Sequence, residues 1–177
     1  MSVKTKYEPR EQVQERIIQI TLDLLLTSSP KAITLRQIAA QAKCHHPDIP
    51  NYFGGKLGLL EAVYPLAVRA MTESNFPLTF STPTPVLIRL VRLVSWLSEH
   101  DSDVFTRIKE RPLLNALTNT YVDRFHLSNS DARLMAQRLM ALMMSSVLSP
   151  EPLGFGPDQF AQHFDLELRI VQKLASE

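Results

Sequence analysis

Residues 34–60, TLRQIAAQAKCHHPDIPNYFGGKLGLL, decide how the rest of the chain is read. Thr34 followed three residues later by Gln37 is a capping-box pattern. Leu35, Ile38, Ala39 and Ala42 then recur at the spacing of one helical face. A brief turn, Lys43-Cys44-His45, leads into a short segment, 46–53, that closes on Tyr52-Phe53 and is broken by Gly54-Gly55. From Lys56 a longer helix is expected, with Leu59, Leu60, Val63, Tyr64, Ala67 and Met71 on its apolar side. Two short helices joined by a tight turn and braced by a third make a helix-turn-helix.

Working outward, Val13, Ile17, Ile20 and Leu24 predict a first helix over about 9–28, ended by Ser28-Ser29-Pro30. Residues 77–85 (PLTFSTPTP) are proline-rich and read as a linker or sharp bend. Beyond them the pattern stays helical: 85–99, about 102–111 with Asp101 or Ser102 as cap, a segment restarting at Pro112, a long helix from Ser128 or Ser130 to Ser149, and a last one over about 158–175. No strand pattern and no internal repeat is found. The fold expected is all-α, with a helix-turn-helix domain over 1–56, a connecting helix over about 56–75, and a helical bundle over 76–177.

Composition agrees with that class and excludes others. Of the 177 residues 45% are hydrophobic, enough for a buried core and too many for a disordered chain. Glycines are few at five, and the twelve prolines are clustered between helices. The formal net charge of +1 identifies no partner. Residues 1–56 carry eight Lys/Arg against five Asp/Glu, a local +3 that is compatible with phosphate binding. The single cysteine, Cys44, excludes an intrachain disulfide and fits a reducing compartment. With no signal-peptide pattern and no apolar run of membrane length, the chain is expected to be cytoplasmic and without a membrane partner.

A helix-turn-helix lays the first residues of its second helix against base edges in the major groove, while neighbouring donors hold phosphates. Base-edge candidates are His45, His46, Asp48 and Asn51, and phosphate candidates are Thr34, Arg36, Lys43, Tyr52 and Lys56. Cys44, His45 and His46 are adjacent, a poor spacing for ligands to one metal ion, so no metal and no cofactor is expected. Asp101 and Asp103 read as helix-cap and loop residues rather than paired catalytic acids. No nucleophile elbow or phosphate-binding glycine loop is present, and no enzyme is expected.

Two C-terminal helices are too apolar for the surface of a monomer. Between Leu139 and Leu148 only two serines interrupt the hydrophobics. The last helix carries one stripe of Phe160, Phe164, Leu168 and Val171 and a second of Leu166, Ile170 and Leu174. Two stripes exceed what one packing partner needs, so a homodimer is expected. Its interface is assigned to Leu139, Met143, Val147, Phe160, Phe164, Leu168 and Val171.

The 34–60 stretch resembles the TetR family of transcriptional regulators. The resemblance is carried by Ile38-Ala39, Phe53, Lys56 and Leu59-Leu60, with the opening Arg16-Ile17-Ile18 of the preceding helix, and covers about residues 10–68. It implies a homodimer of nine or so helices per subunit that binds double-stranded DNA and dimerises through its C-terminal helices. It also implies a cavity for a small-molecule effector between the middle helices. On those helices Trp96, Phe105, Arg107, Tyr121 and Met140 are the ligand candidates, Arg107 as a partner for an anion. The methionines at 135–144 suit an adaptable apolar wall or a dimer core.

The chain departs from the family where Lys43 replaces a glycine, His45 a small polar cap, and Pro50 a tyrosine. Proline donates no backbone hydrogen bond and restricts the residue before it. The recognition helix is therefore expected to be distorted or short. The function read from the sequence is a ligand-responsive repressor acting as a homodimer on a palindromic operator. The alternative is a protein-interaction module on the same scaffold that has lost specific DNA binding.

Overall fold

The computed structural model describes residues 9–73, 84–108, 111–149, 151–152, 154, 156 and 159–176. Among them the chain forms helices only: α1 (Arg10–Thr27), α2 (Leu35–Ala42), α3 (Asp48–Phe53), α4 (Lys56–Glu73), α5 (Pro85–His100), α6 (Val104–Arg107), α7 (Pro112–Phe125), α8 (Asn129–Leu148) and α9 (Gln159–Leu174). Most of the linker expected at 77–85 lies outside the described residues.

Local chemistry explains four of the helix starts. The hydroxyls of Thr34, Thr84 and Ser128 accept from the backbone N–H of Gln37, Leu87 and Asp131 at the heads of α2, α5 and α8. Each satisfies a donor that a helix start leaves open. Pro85 and Pro112 occupy first-turn positions, where a missing N–H costs nothing.

α6 is shorter than the 102–111 expected. Ile108 leaves the helical region at φ −71°, ψ 81°, and Arg111 stands before Pro112 at ψ 72°. The proline ring disfavours helical geometry at Arg111, so α7 starts afresh at Pro112.

Around these ends the helices pack in two connected groups. α1 lies on α2, α4 and α5, while α3 packs on α4. α4 runs on against α5 and α7, α7 against α8, and α8 against both α5 and α9. The core is continuous, from Ile17, Ile38 and Ile49 through Leu59 and Val63 to Leu97, Leu117 and Leu139, all nearly inaccessible to solvent.

The residues assigned to the interface are largely enclosed by their own subunit. Leu139, Met143, Phe160, Phe164 and Val171 are buried within one subunit, and Val147 and Leu168 are half-buried against the same core. The five buried side chains offer little surface to a second copy, whereas Val147 and Leu168 stay partly open. Phe160 and Phe164 stack with ring centroids 6.4 Å apart as α9 closes over α8, each contributing about 2–3 kcal/mol of burial. The outward apolar residues are instead Leu134 and Leu148 on α8 and Leu166 and Leu174 on α9, between 37% and 59% exposed.

Candidate nucleic-acid interface and internal cavity

The turn between α2 and α3 is built by three backbone devices. Lys43 ends α2 in the left-handed region at φ 51°, ψ 43°, with its N–H bonded to the carbonyls of Ala39 and Ala40. Asp48 turns back, its carboxylate accepting the N–H of His45 at 3.0 Å. Arg16 on α1 donates from Nε to the Ala42 carbonyl, placing a cation at the negative end of α2.

Pro50 is absorbed without loss of a helical bond. The first α-type bond of α3 runs from Asn51 N to Pro47 O at 3.1 Å, so Pro50 falls among first-turn residues that have no intrahelical acceptor. α3 is six residues long, and its buried anchor is Ile49. Gly54 then reverses the chain at φ 74°.

Gly58, which carries no motif, proves essential to the next join. A Cβ there would fall on the Phe53 carbonyl oxygen, so only glycine lets α4 start this close to the end of α3.

Thr34, Arg36, Lys43, His45, His46 and Asn51 are solvent-exposed around α2, the turn and α3. Three other candidates have structural partners. Asp48 is half-buried and braces the turn as described. Tyr52, also half-buried, lies under the Arg10 guanidinium at 4.8 Å from its ring centroid. Lys56 is half-buried, and its ammonium is engaged by the backbone. Its ammonium donates to the Ile33 carbonyl and reaches that of Lys31 at 3.5 Å, and it sits 5.5 Å from the Trp96 ring centroid. Burial pushes its pKa down. Cys44 is half-buried against the core, and burial pushes its thiol up, away from the reactive thiolate. Among the described residues no cluster of His, Cys, Asp or Glu could hold a metal, and no helix is long and apolar enough to cross a membrane.

The second site is a cavity of about 460 Å³ bounded by side chains of α4, α5, α6, α7 and α8. Phe105 and Met140, expected as ligand contacts, do line it. Trp96, Arg107 and Tyr121 do not. Trp96 stacks on His100 at 3.7 Å and lies beside Lys56. Arg107 is exposed and bridges Asp101 (2.7 Å) and Glu61, which holds the Asp101 carboxyl below its usual range. Tyr121 is 2% exposed and packs on Phe125; burial, with Glu167 nearby, pushes its hydroxyl well up. The wall also includes Tyr64, from the apolar side of the connecting helix, and Arg111 and Gln137, which no sequence pattern singles out. Tyr64 of α4 meets Phe105 of α6 edge to face at 5.5 Å, so the connecting helix forms part of the cavity.

No protein-family model matches the chain, and no curated protein matches it in sequence. Solved structures do match in fold. The TetR family repressor AlkX from Dietzia sp., implicated in biodegradation of n-alkanes, superposes with a TM-score of 0.52 at 20% identity over 96% of this chain and 98% of its own. A TetR-family transcriptional regulator from Streptomyces coelicolor gives a TM-score of 0.52 at 16% identity, covering 97% of this chain and 83% of its own. The all-helical order and the similarity over nearly the whole length agree: this chain has the fold of the TetR-family transcriptional regulators.

Proposed function

We propose that the chain is a homodimeric DNA-binding transcriptional regulator, a repressor that occupies a palindromic operator and leaves it when a small molecule fills the cavity. The observation that carries this reading is the exposed set His45, His46 and Asn51 at the turn and on α3, flanked by Arg36 and Lys43. Hydrogen-bonding groups stand where a recognition helix meets base edges, with cations beside them for phosphates. Residues 1–56 act as the reading head, α4 connects, and the helices from α5 onward dimerise and hold the effector. The exposed leucines of α8 and α9 form the face between two copies. A cytoplasmic location goes with this role, and the reading assigns the chain no catalytic step.

Coupling follows from placement. Tyr64 belongs both to the cavity wall and to α4, whose first residue, Lys56, is bonded to the loop before α2. A molecule that moved Tyr64 would shift the reading heads relative to each other, and its differential affinity for the two arrangements would set the response.

Fluorescence anisotropy of the purified protein tests the reading, with DNA from upstream of its own coding sequence against a scrambled control across a salt series. Tighter binding to the upstream DNA with a steep salt slope supports a regulator. Equal weak binding to both would favour a protein-interaction module on the same scaffold.

A further inference from the structure

The cavity has a one-sided polarity that regulation as such does not require. Its walls are Leu, Val, Met, Ala and aromatic side chains, and among the described residues no Asp or Glu lines it. Among the described lining residues the one side chain charged at neutral pH is Arg111, with Gln137 and Ser98 as uncharged hydrogen-bonding groups.

Arg111 differs from the paired arginines. Arg107 is neutralised by Asp101 and Glu61, and Arg138 by Glu167 at 2.9 Å. The Arg111 side chain is exposed and makes no ion pair or hydrogen bond among the described residues. It is also the residue from which the 14-residue α7 starts, so the positive end of that helix adds to its charge.

These features select among ligands. A cation entering the cavity would shed water and find no countercharge. A wholly apolar molecule would fit the walls and leave the guanidinium unused. A molecule with one apolar tail and one anionic head matches both, and about 460 Å³ lies within the range of small-molecule sites.

We propose that the cavity binds a medium-length monoanionic amphiphile of the fatty-carboxylate type, its tail among the α4, α5, α7 and α8 side chains and its carboxylate on Arg111. The guanidinium offers the carboxylate a planar pair of donors that a hydroxyl head group cannot use as well. The proposal rests on the effector-site reading for its regulatory meaning, whereas its chemistry rests on the lining alone.

The test is isothermal titration calorimetry of the full chain with decanoate, decanol and decyltrimethylammonium, each below its micelle concentration. Decanoate is expected to bind about tenfold more tightly than decanol, the size of a charge-assisted contact, with no binding of the cation. Arg111→Gln should reduce decanoate to the level of decanol. Because Arg111 is exposed, that variant leaves the core intact. Met140→Trp, which fills the cavity, should abolish binding of every probe, with its fold checked by circular dichroism. Equal affinity for decanoate and decanol, or an Arg111→Gln variant that binds decanoate normally, overturns the proposal. Undiminished binding by folded Met140→Trp also overturns it, because the probes would then sit on the outer apolar surface. Operator binding measured without probe separates the two readings: if it holds while decanoate fails, this inference falls and the regulator stands. Arg111-dependent decanoate binding without operator binding would give the reverse.

Discussion

The ammonium of Lys56, at the first residue of α4, donates to the backbone carbonyl of Ile33, in the loop that precedes α2. This bond ties the first turn of α4 to the loop before α2 and engages the ammonium that a phosphate contact would use. Lys56→Ala should therefore lower stability by about 1–2 kcal/mol and weaken binding to all DNA sequences alike. It should leave the slope of affinity against salt unchanged. Arg36→Ala, at an exposed position, should reduce that slope by about one unit with little effect on stability. A reduced slope for Lys56→Ala would return the residue to the phosphate-contact role.

Base discrimination is assigned to the exposed side chains at the turn and on α3. Asn51→Ala and His46→Ala should change the ratio of affinities between operator variants, by about 1–3 kcal/mol at the base pair each one reads. Thr34→Ala, at a backbone-facing cap, should weaken all sites equally. Competition anisotropy against a panel of single-base variants checks both, and a uniform loss for Asn51→Ala would remove it from the reading set.

Two backbone positions carry opposite predictions. Lys43 holds a left-handed conformation with its side chain exposed, so Lys43→Gly should raise the unfolding free energy by roughly 0.5–1 kcal/mol, as relief of that strain outweighs the added chain entropy. Gly58→Ala should lower it by about 2–3 kcal/mol, because the new methyl must displace the Phe53 carbonyl. Urea unfolding midpoints measure both, and neutral behaviour of Gly58→Ala would mean that α4 can back away from α3.

The outward leucines, rather than the buried aromatics, should hold two subunits together. Leu134→Glu combined with Leu166→Glu should give a folded monomer in analytical ultracentrifugation. Leu139→Ala, inside the subunit, should cost about 2–5 kcal/mol of stability without selectively splitting dimers. A dimer that survives both glutamates would place the interface elsewhere.

Alkaline pH should destabilise the fold through its buried tyrosines. Burial raises the hydroxyl pKa of Tyr64 and Tyr121 above the ordinary value of 10.0. A raised folded-state pKa means that the native chain keeps protons which the unfolded chain releases. The corresponding stability is complete below pH 10 and is lost as pH climbs from there through the folded values. Urea midpoints for wild type should fall more steeply above pH 10 than those for Tyr121→Phe, and parallel curves would contradict the assignment.

The helix-turn-helix, the all-helical class and most helix ends were legible along the chain because the forces that place them are local. Thr34 caps the helix it precedes, Ser128 does the same for α8, and the apolar spacing in α1, α2 and α4 marks each buried face wherever the helix finally lies. Pro50 was harder to read. Its consequence depends on where the first α-type bond of α3 begins, and that is set by the turn before it. The two stripes of α9 were visible, but not which one faces inward, since both are apolar and only the position of α8 distinguishes them. Lys56, Arg107 and Arg111 look alike as isolated cations. Folding brings one beside the Ile33 carbonyl and another between Asp101 and Glu61, and leaves the third at a cavity with no partner among the described residues. A charge acquires its role from what stands within a few ångströms of it, and for these residues those neighbours come from distant parts of the chain.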